Sequence, residues 1–365
     1  MSVIDLKNLK KECIKLLKKL ISTPSLSKEE HKTADIIESF LRKKKLNPKR
    51  KDNNIWIENH NYDYDYDYDY DNDNYTILLN SHHDTIKPST GWETDPFIAK
   101  EYGNKIIGLG SNDAGGSVVS LIATFIYINS LPKYKYKLIL IISAEEEIRA
   151  TRGVESILCY LGKGKINLGI IGEPTNMQMA IAEKGLIVLD CLSIGTTGHA
   201  ARFEGINALY LAIDDIIWLK NYVFKKKSPI LGNIKLTVTK IQCGIQRNVI
   251  PDTCYFTVDI RTNEIYSHEY IINKIKKNIK SKIISSSYRL KSSYIDPNHN
   301  IVKTAKNINI QIFGSPTLSD QSVMNFPTVK LGVGDSSRSH TPNEYILISE
   351  IEYGIDLYIN LLLNF

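Results

Sequence analysis

The stretch KLILIISAEEE at residues 137–147 joins an apolar run of strand length to three consecutive glutamates. A short apolar run bounded by charged residues is typical of a strand in the interior of a sheet. Carboxylates at the end of such a strand are costly unless a cation or hydrogen bonds compensate for their charge. The stretch therefore predicts a buried strand with an acidic end.

Strand-like and helix-like segments alternate on both sides of this stretch. YTILLNSHHD at 75–84 and INLGIIGEPT at 166–175 are apolar runs of strand length, and helical patterns cover 117–131 and 153–161. Such alternation favours an α/β layer with a mostly parallel central sheet. Ligands of such sheets bind beyond the carboxyl ends of the strands.

The pattern changes near residue 182. Strand patterns then occur at 185–198, 234–243, 252–261 and 288–295, and helix patterns at 204–222 and 267–283. This order predicts a small α+β unit inserted in the first domain. The predicted organisation is a catalytic domain of residues 1–181 and 292–365, with an inserted lid of residues 182–291.

Composition and charge exclude several classes of protein. The net charge of +6 comes from 46 basic and 40 acidic residues, and the lysines are scattered, so we expect no nucleic-acid partner. Residues 4–21 predict an amphipathic helix and not a signal peptide, and no apolar segment is long enough to span a membrane. Five widely spaced cysteines argue against a disulfide framework. We expect a cytoplasmic protein with no membrane partner.

The tract YDYDYDYDYDND at 62–73 alternates with a period of two. In isolation it could form a strand with tyrosines on one face, but the aspartates would repel one another along the other face. We interpret it as a solvated insertion at a hairpin tip and assign it no function.

Two adjacent histidines follow the strand at 75–84. Successive side chains of a strand point to opposite faces, so His82 and Asp84 share a face and His83 points the other way. A metal-binding imidazole commonly has its second ring nitrogen held by a carboxylate or a carbonyl. His82 is therefore the candidate ligand, and Asp84 is the candidate that orients it; for this motif alone, a pair of surface histidines without a metal fits equally well.

Further acidic or histidine-bearing segments lie beyond predicted strands. Asp113 lies among glycines in GLGSNDAGGS (108–117), Glu173 in IIGEPT, and His340 in SSRSHTPNE (336–344). Each has an ordinary structural interpretation, as a helix cap, a turn residue or a loop residue. Together with His82 and the glutamate run, they match a borderline divalent ion such as zinc, and one carboxylate could bridge two ions.

The ordered motifs resemble the M20 family of dinuclear zinc hydrolases. The resemblance covers nearly the whole chain and is closest to the branch of acetylornithine deacetylase and succinyl-diaminopimelate desuccinylase. It rests on SHHDT, GLGSNDAGGS, SAEEE, GEPT, EKGL, GTTGHAAR, QRNVIPD, DIRTN and SHTPNE.

The resemblance implies a metal centre for two divalent ions, Zn²⁺ with Co²⁺ able to substitute. Its ligands would be His82 and Glu173 for one ion, Glu147 and His340 for the other, and Asp113 as the bridge.

The resemblance also implies catalytic residues. Glu146 would be the general base and Asp84 would orient His82. The extra acid Glu145 leaves a register shifted by one residue open.

The inserted domain would be a ferredoxin-like lid that forms a homodimer. It would present His199 to an active site, often that of the partner subunit, and Asn248 and Arg261 to the substrate. The family's G-T-S-D loop is replaced here by GSPTLSD at 314–320, with Thr317 or Ser319 as possible replacements for its threonine.

The activity implied is hydrolysis of the amide bond of an N-acyl amino acid, first of all N-acetylornithine to ornithine and acetate. Deacylation of N-acetylcitrulline or N-succinylcitrulline, desuccinylation of succinyl-diaminopimelate, and dipeptide hydrolysis remain open. A zinc-binding dimer without catalysis is the alternative from another class.

Overall fold

The computed structural model describes residues 3–62, 75–162 and 166–365. The chain forms two compact units: the first unit is Met1–Ile181, Ile295–Phe313 and Ser319–Phe365, and the second unit is Ala182–Tyr294 and Gly314–Leu318. The second unit extends past the sequence-based boundary at residue 291, because Ser293 and Tyr294 pair with Glu183 and Ala182.

Helices and strands alternate in the first unit as the sequence patterns predict. The helices of both units, in chain order, are α1 (Leu6–Ile21), α2 (His31–Lys43), α3 (Gly116–Ser130), α4 (Val154–Leu161), α5 (Ala208–Asn221), α6 (His268–Lys276), α7 (Asn300–Asn307) and α8 (Ile348–Asn364). The strands that start before residue 190 are β1 (Lys49–Lys51), β2 (Asn54–Glu58), β3 (Thr76–His82), β4 (Lys100–Tyr102), β5 (Lys105–Ile107), β6 (Lys137–Ser143), β7 (Leu168–Ile171), β8 (Met179–Glu183) and β9 (Gly185–Ile194). The later strands are β10 (Gly198–His199), β11 (Lys235–Cys243), β12 (Val249–Ile250), β13 (Thr253–Thr262), β14 (Lys282–Leu290), β15 (Ser293–Tyr294), β16 (Ile312–Ser315), β17 (Thr328–Lys330) and β18 (Tyr345–Leu347).

The central sheet of the first unit has the strand order β1-β2-β6-β3-β7-β17-β8. Its inner pairs β6-β3, β3-β7 and β7-β17 are parallel, while the outer pairs β1-β2, β2-β6 and β17-β8 are antiparallel. The prediction of an α/β fold with a mostly parallel central sheet is confirmed, and the parallel part is its centre. The carboxyl ends of four parallel strands therefore lie along one edge.

Helix α3 packs against α1 and α8. Its residues are mostly apolar or small and nearly all are buried, as expected for a helix enclosed by neighbours. Helix α1 buries one stripe that includes Leu9, Cys13 and Leu17. Truncating Leu17, which is 1% exposed, to alanine would cost about 2–5 kcal/mol of unfolding free energy.

The second unit contains a four-stranded antiparallel sheet in the order β11-β13-β9-β14. The chain order β9-α5-β11-β13-α6-β14 with this sheet order is the ferredoxin-like arrangement. The ferredoxin-like class expected of the lid is therefore found.

The expected helix at 267–283 is wrong in its second half. Helix α6 ends at Lys276, and β14 begins at Lys282. The carboxylate of Asp215 on α5 accepts hydrogen bonds from the backbone N–H groups of Lys280 and Ser281 at 2.9 and 2.8 Å. This buried tertiary contact takes the place of helical hydrogen bonds, and the local sequence pattern does not predict it.

None of the helices in the described ranges combines the length and the continuous apolarity needed to cross a bilayer. The tyrosine-aspartate tract lies, apart from Tyr62, outside the described residues, and its interpretation stays a prediction.

Candidate metal centre

The predicted ligands follow the carboxyl ends of the inner strands. His82 is the last residue of β3 and lies opposite Ser143, the last residue of β6. Glu147 lies just beyond β6, and Glu173 lies just beyond β7. Because these strands are parallel neighbours, the three side chains converge at one edge of the sheet.

A first cluster consists of His82, Asp113 and Glu173, whose ligand atoms lie within 4.8 Å of one another. The Nε2 atom of His82 is 3.3 Å from Oδ1 of Asp113 and 3.8 Å from Oε1 of Glu173. The His82 side chain is buried. Its second nitrogen, Nδ1, donates to the backbone carbonyl of Asp84 at 3.0 Å, which leaves Nε2 directed at the carboxylates.

A second cluster consists of Asp113, Glu147 and His340. The Nε2 atom of His340 is 3.1 Å from Oε1 of Glu147 and 3.5 Å from Oδ2 of Asp113. Asp113 thus presents one oxygen to each imidazole: Oδ1 to His82 and Oδ2 to His340. The geometry is that of a bridging carboxylate between two cation sites.

The contact of Asp84 with His82 differs from the expected one. The nearest acceptor for His82 is the Asp84 carbonyl, while the carboxylate oxygen Oδ1 is 3.4 Å from Nδ1. The fully buried Asp84 carboxylate accepts hydrogen bonds from Ser27 Oγ at 2.7 Å and from the backbone N–H groups of Glu146 and Glu147 at 3.0 and 3.1 Å. Asp84 therefore holds the glutamate run as well as the histidine.

Three buried side chains bind the backbone of the glutamate run. Four successive N–H groups donate to them, Ala144 to Asn54, Glu145 to Glu30, and Glu146 and Glu147 to Asp84, over 3.0 to 3.2 Å. Hydrogen bonds to charged acceptors are about twice as strong as neutral ones. The register of the run is therefore set by its backbone partners.

The three glutamate side chains diverge from this backbone. Glu145 pairs with Arg152 at 3.0 Å, Glu146 forms an ion pair with Arg149, and Glu147 contacts His340. Of the three glutamates, Glu147 is the one that lies in a candidate metal cluster, and Glu146 lies beside it on the backbone.

His83 lies on the opposite side of the strand end. Its Nδ1 is 2.9 Å from Thr33 Oγ1, and its Nε2 donates to the carbonyl of Asn53 at 2.9 Å. The ring is buried, not at the surface. Both nitrogens are engaged away from the clusters, so His83 is a structural residue.

The ionisation of these groups indicates a site that requires positive charge. Burial lowers the pKa of His82, but the interactions of its ring with the carboxylates of Asp113 and Asp84 outweigh burial. The pKa of His82 therefore lies well above 6.5. The hydrogen bond to Glu147 raises the pKa of His340 to about 9. Burial raises the pKa of Glu173 to about 8. The clusters thus retain protons, which a divalent cation would displace on binding.

The donor sets fit two divalent ions. Each cluster offers one imidazole nitrogen and carboxylate oxygens, the ligand types that zinc and its neighbours accept. His82, Asp113 and Glu173 would hold one ion, and Asp113, Glu147 and His340 the other.

The remaining predicted residues lie in the second unit. His199 is exposed, and its Nδ1 accepts from the backbone N–H of Ala201 at 3.1 Å. Asn248 is exposed, and its carbonyl accepts from the N–H of Ala200 at 3.0 Å. Arg261 is half-buried, and its Nε and Nη2 donate to the Asp259 carboxylate at 2.9 and 3.1 Å.

The two candidates in the 314–320 loop differ in exposure. Thr317 is exposed and bonds to Ser315 Oγ at 3.0 Å. Ser319 is buried and accepts from the N–H of Gln321 at 3.3 Å.

Sequence reasoning missed two buried acids of the first unit. Glu344 accepts three backbone N–H groups of the loop that carries Asp113, and Asp320 accepts from Ser143 Oγ at 2.8 Å. Burial raises the pKa of both carboxyl groups. Both acids lie in stretches already quoted, Glu344 in SHTPNE and Asp320 in GSPTLSD, but a polar loop has no periodic pattern that could assign either acid a role.

A parallel sheet whose strand ends carry two imidazole-carboxylate clusters with a shared aspartate defines the class of dinuclear metallohydrolases. The model of peptidase family M20/M25/M40 matches residues 78–364. The chain belongs to this family, as its motifs predict, and is a metallohydrolase that acts on amide bonds.

Relatives of similar length support this assignment. An uncharacterised metallohydrolase of Methanocaldococcus jannaschii is 29% identical and aligns with 83% of this chain and 86% of its own length. A succinyl-diaminopimelate desuccinylase of Orientia tsutsugamushi is 26% identical over 98% of this chain and 97% of its own.

Solved structures show the same fold. A dinuclear metal-binding M20 peptidase of Bacillus subtilis superposes with a TM-score of 0.73 at 16% identity, covering 98% of both chains. The aminopeptidase PepT of Bacillus cereus gives 0.76 at 17% identity, covering 97% of this chain and 98% of its own.

Proposed function

We propose that the protein hydrolyses the amide bond of an N-acylated amino acid with two divalent ions, Zn²⁺ in the first instance and Co²⁺ as a substitute. The observation that carries the proposal is Asp113, which offers one oxygen to each cluster, with Glu146 on the backbone next to the ligand Glu147. When bound, the ions would acidify a water and polarise the amide carbonyl.

In the proposed reaction Glu146 is the general base. It takes the proton of the attacking water and returns it to the amine nitrogen that leaves. The Asp84 carboxylate holds the N–H group of Glu146, so the base is positioned by a buried, charged acceptor. The ion pair with Arg149 restrains the Glu146 side chain from the same loop.

The second unit would supply the other proposed contacts. His199 would donate to the carbonyl oxygen as negative charge develops on it. Arg261 would bind a substrate carboxylate through Nη1, on the side away from Asp259, and Asn248 would contact the substrate.

We propose a homodimer formed through the second unit. Tyr210, Ile213 and Ile217 follow one another at helical spacing on α5 and are 67%, 39% and 52% exposed. The opposite side of α5 buries Ala212 and Leu219 in the unit's own core. A second copy of this chain would cover the exposed stripe, and His199 would then act in the partner's site.

Two acyl substrates compete within this proposal. N-acetylornithine is the substrate expected from the motifs. The relatives named as succinyl-diaminopimelate desuccinylases favour an N-succinyl diamino acid, and N-acetyl- or N-succinylcitrulline and dipeptides are further candidates. A cytoplasmic location suits any of these metabolites.

The deciding experiment assays zinc- or cobalt-loaded protein with N-acetylornithine, N-acetylcitrulline, their succinyl analogues, succinyl-diaminopimelate and a dipeptide. We expect one acyl class to be hydrolysed with kcat/KM at least about tenfold above the others, a difference of about 1.4 kcal/mol. Turnover of none by fully loaded protein would contradict the proposal.

The base is tested by a matched pair of variants in the same run of glutamates. Glu146→Gln should lower kcat by about 10²–10⁴-fold with both ions retained, whereas Glu145→Gln should keep most of the activity. The reverse result would shift the register by one residue.

A further inference from the structure

Glu344 makes an unusual set of contacts for a residue in a turn-rich loop. Its side chain is 2% exposed. Oε1 accepts from the N–H groups of Asn112 and Asp113, both at 2.8 Å, and Oε2 accepts from Gly110 at 3.0 Å. Its backbone carbonyl accepts from Gly108 at 3.0 Å. One residue therefore binds four N–H groups of the Asp113 segment.

The Asp113 segment makes only part of its hydrogen bonds internally: the N–H groups of Ser111 and Gly115 donate to the carbonyls of Gly108 and Gly110 at 3.1 and 3.0 Å. Gly110 is left-handed at φ +72°, and Asp113 departs from helical geometry at φ −116° and ψ 96° just before α3. N–H groups in such a conformation cannot all bond within the segment, and buried ones need partners. The carboxylate of Glu344 provides them.

Asn112 ties the same two segments together from the other side. Its Oδ1 accepts from the N–H of Asp335 at 3.0 Å. Its Nδ2 donates to the Asp335 carbonyl at 3.0 Å and to Ser339 Oγ at 3.3 Å. The segment 335–344, which carries His340, is thus anchored to the Asp113 segment at both of its ends.

We propose that Glu344 is a positioning residue for the second metal cluster: it fixes the Asp113 segment and the His340 segment to each other. His340 has a left-handed backbone at φ +61° and a half-exposed side chain, so its position depends on these anchors. His82 and Glu173 are held at the ends of β3 and β7, so the first cluster depends on Glu344 only through the shared Asp113, whereas the second depends on it through both Asp113 and His340. Loss of Glu344 therefore weakens the ion between Glu147 and His340 more than the other ion.

This inference rests on the proposed two-ion centre, but not on any substrate. Its test is a calorimetric titration of the metal-free protein with Zn²⁺. A second titration with Co²⁺ is followed by the visible absorption of the bound ion. For Glu344→Gln, whose amide places an N–H donor against the backbone donors, we expect the site of Glu147 and His340 to lose about 10–100-fold in affinity. The site of His82 and Glu173, which shares Asp113, should lose less.

The matched control is Glu352→Gln, which removes an exposed carboxylate from the nearby helix α8 and should bind both ions as the wild type does. If Glu344→Gln does not fold, as judged by circular dichroism, Asn112→Ala cuts the second anchor and should show the same selective loss. Two wild-type affinities in folded Glu344→Gln, or equal weakening of both sites, would overturn the proposal. Two intact sites without turnover of any acyl substrate would instead contradict the proposed function.

Discussion

Replacement of His83 by alanine separates the two adjacent histidines. The imidazole is 7% exposed and bonds to Thr33 Oγ1 and the Asn53 carbonyl, both at 2.9 Å. Leaving the half-buried carbonyl of Asn53 without its donor costs at most about 1–3 kcal/mol, and truncating the buried His83 ring adds a cavity term, for a total of about 2–5 kcal/mol. We therefore expect a marked loss of stability, since native proteins are stable by only about 5–15 kcal/mol.

The metal content, in contrast to the stability, should not change in His83→Ala. Folded His83→Ala should bind two ions, with each dissociation constant within about threefold of wild type, whereas His82→Ala should lose the ion held with Glu173. The assays are urea denaturation of the metal-free proteins and metal analysis by atomic emission after reconstitution. A folded His83→Ala protein that lacks an ion, or a His82→Ala protein that keeps both, would refute the assignment by strand alternation.

Two further predictions concern stability and assembly. Burial lowers the pKa of His299, which caps α7 with a neutral nitrogen, below 6.5; the unfolded chain then binds more protons, so stability should fall as the pH drops below 6.5 towards the folded pKa. His299→Ser should cap the helix without this titration. If the denaturation midpoints of both proteins change equally with pH between 7.5 and about 5.5, that explanation is contradicted. Ile213→Glu places a charge in the exposed stripe of α5, and light scattering should report a monomer where the wild type is a dimer; a dimer of unchanged mass would argue against this interface.

Much of the fold could be predicted because its signals are periodic. The apolar runs at 76–82, 137–143 and 168–171 became neighbouring parallel strands, and the helical stripe of α1 packs inward. Helix α8 was not predicted. The boundary between α6 and β14 was misplaced, because the connection between them is held by Asp215 of a distant element.

The acidic strand ends were predictable for a related reason. A carboxylate or an imidazole that follows an apolar strand is visible in the sequence, and the parallel topology brings such residues together. Glu344 left no such signal, because it acts by accepting hydrogen bonds from backbone N–H groups that lie more than 200 positions earlier in the chain.

The sequence by itself determined the layers of the fold, the family, and the residue types of the metal clusters, since these follow from periodicity and from the order of motifs. Only the tertiary structure decided which glutamate of Glu145, Glu146 and Glu147 faces His340. The three are chemically identical, so no local preference distinguishes them. Partners from three separate segments bind the backbone of the run and select its register.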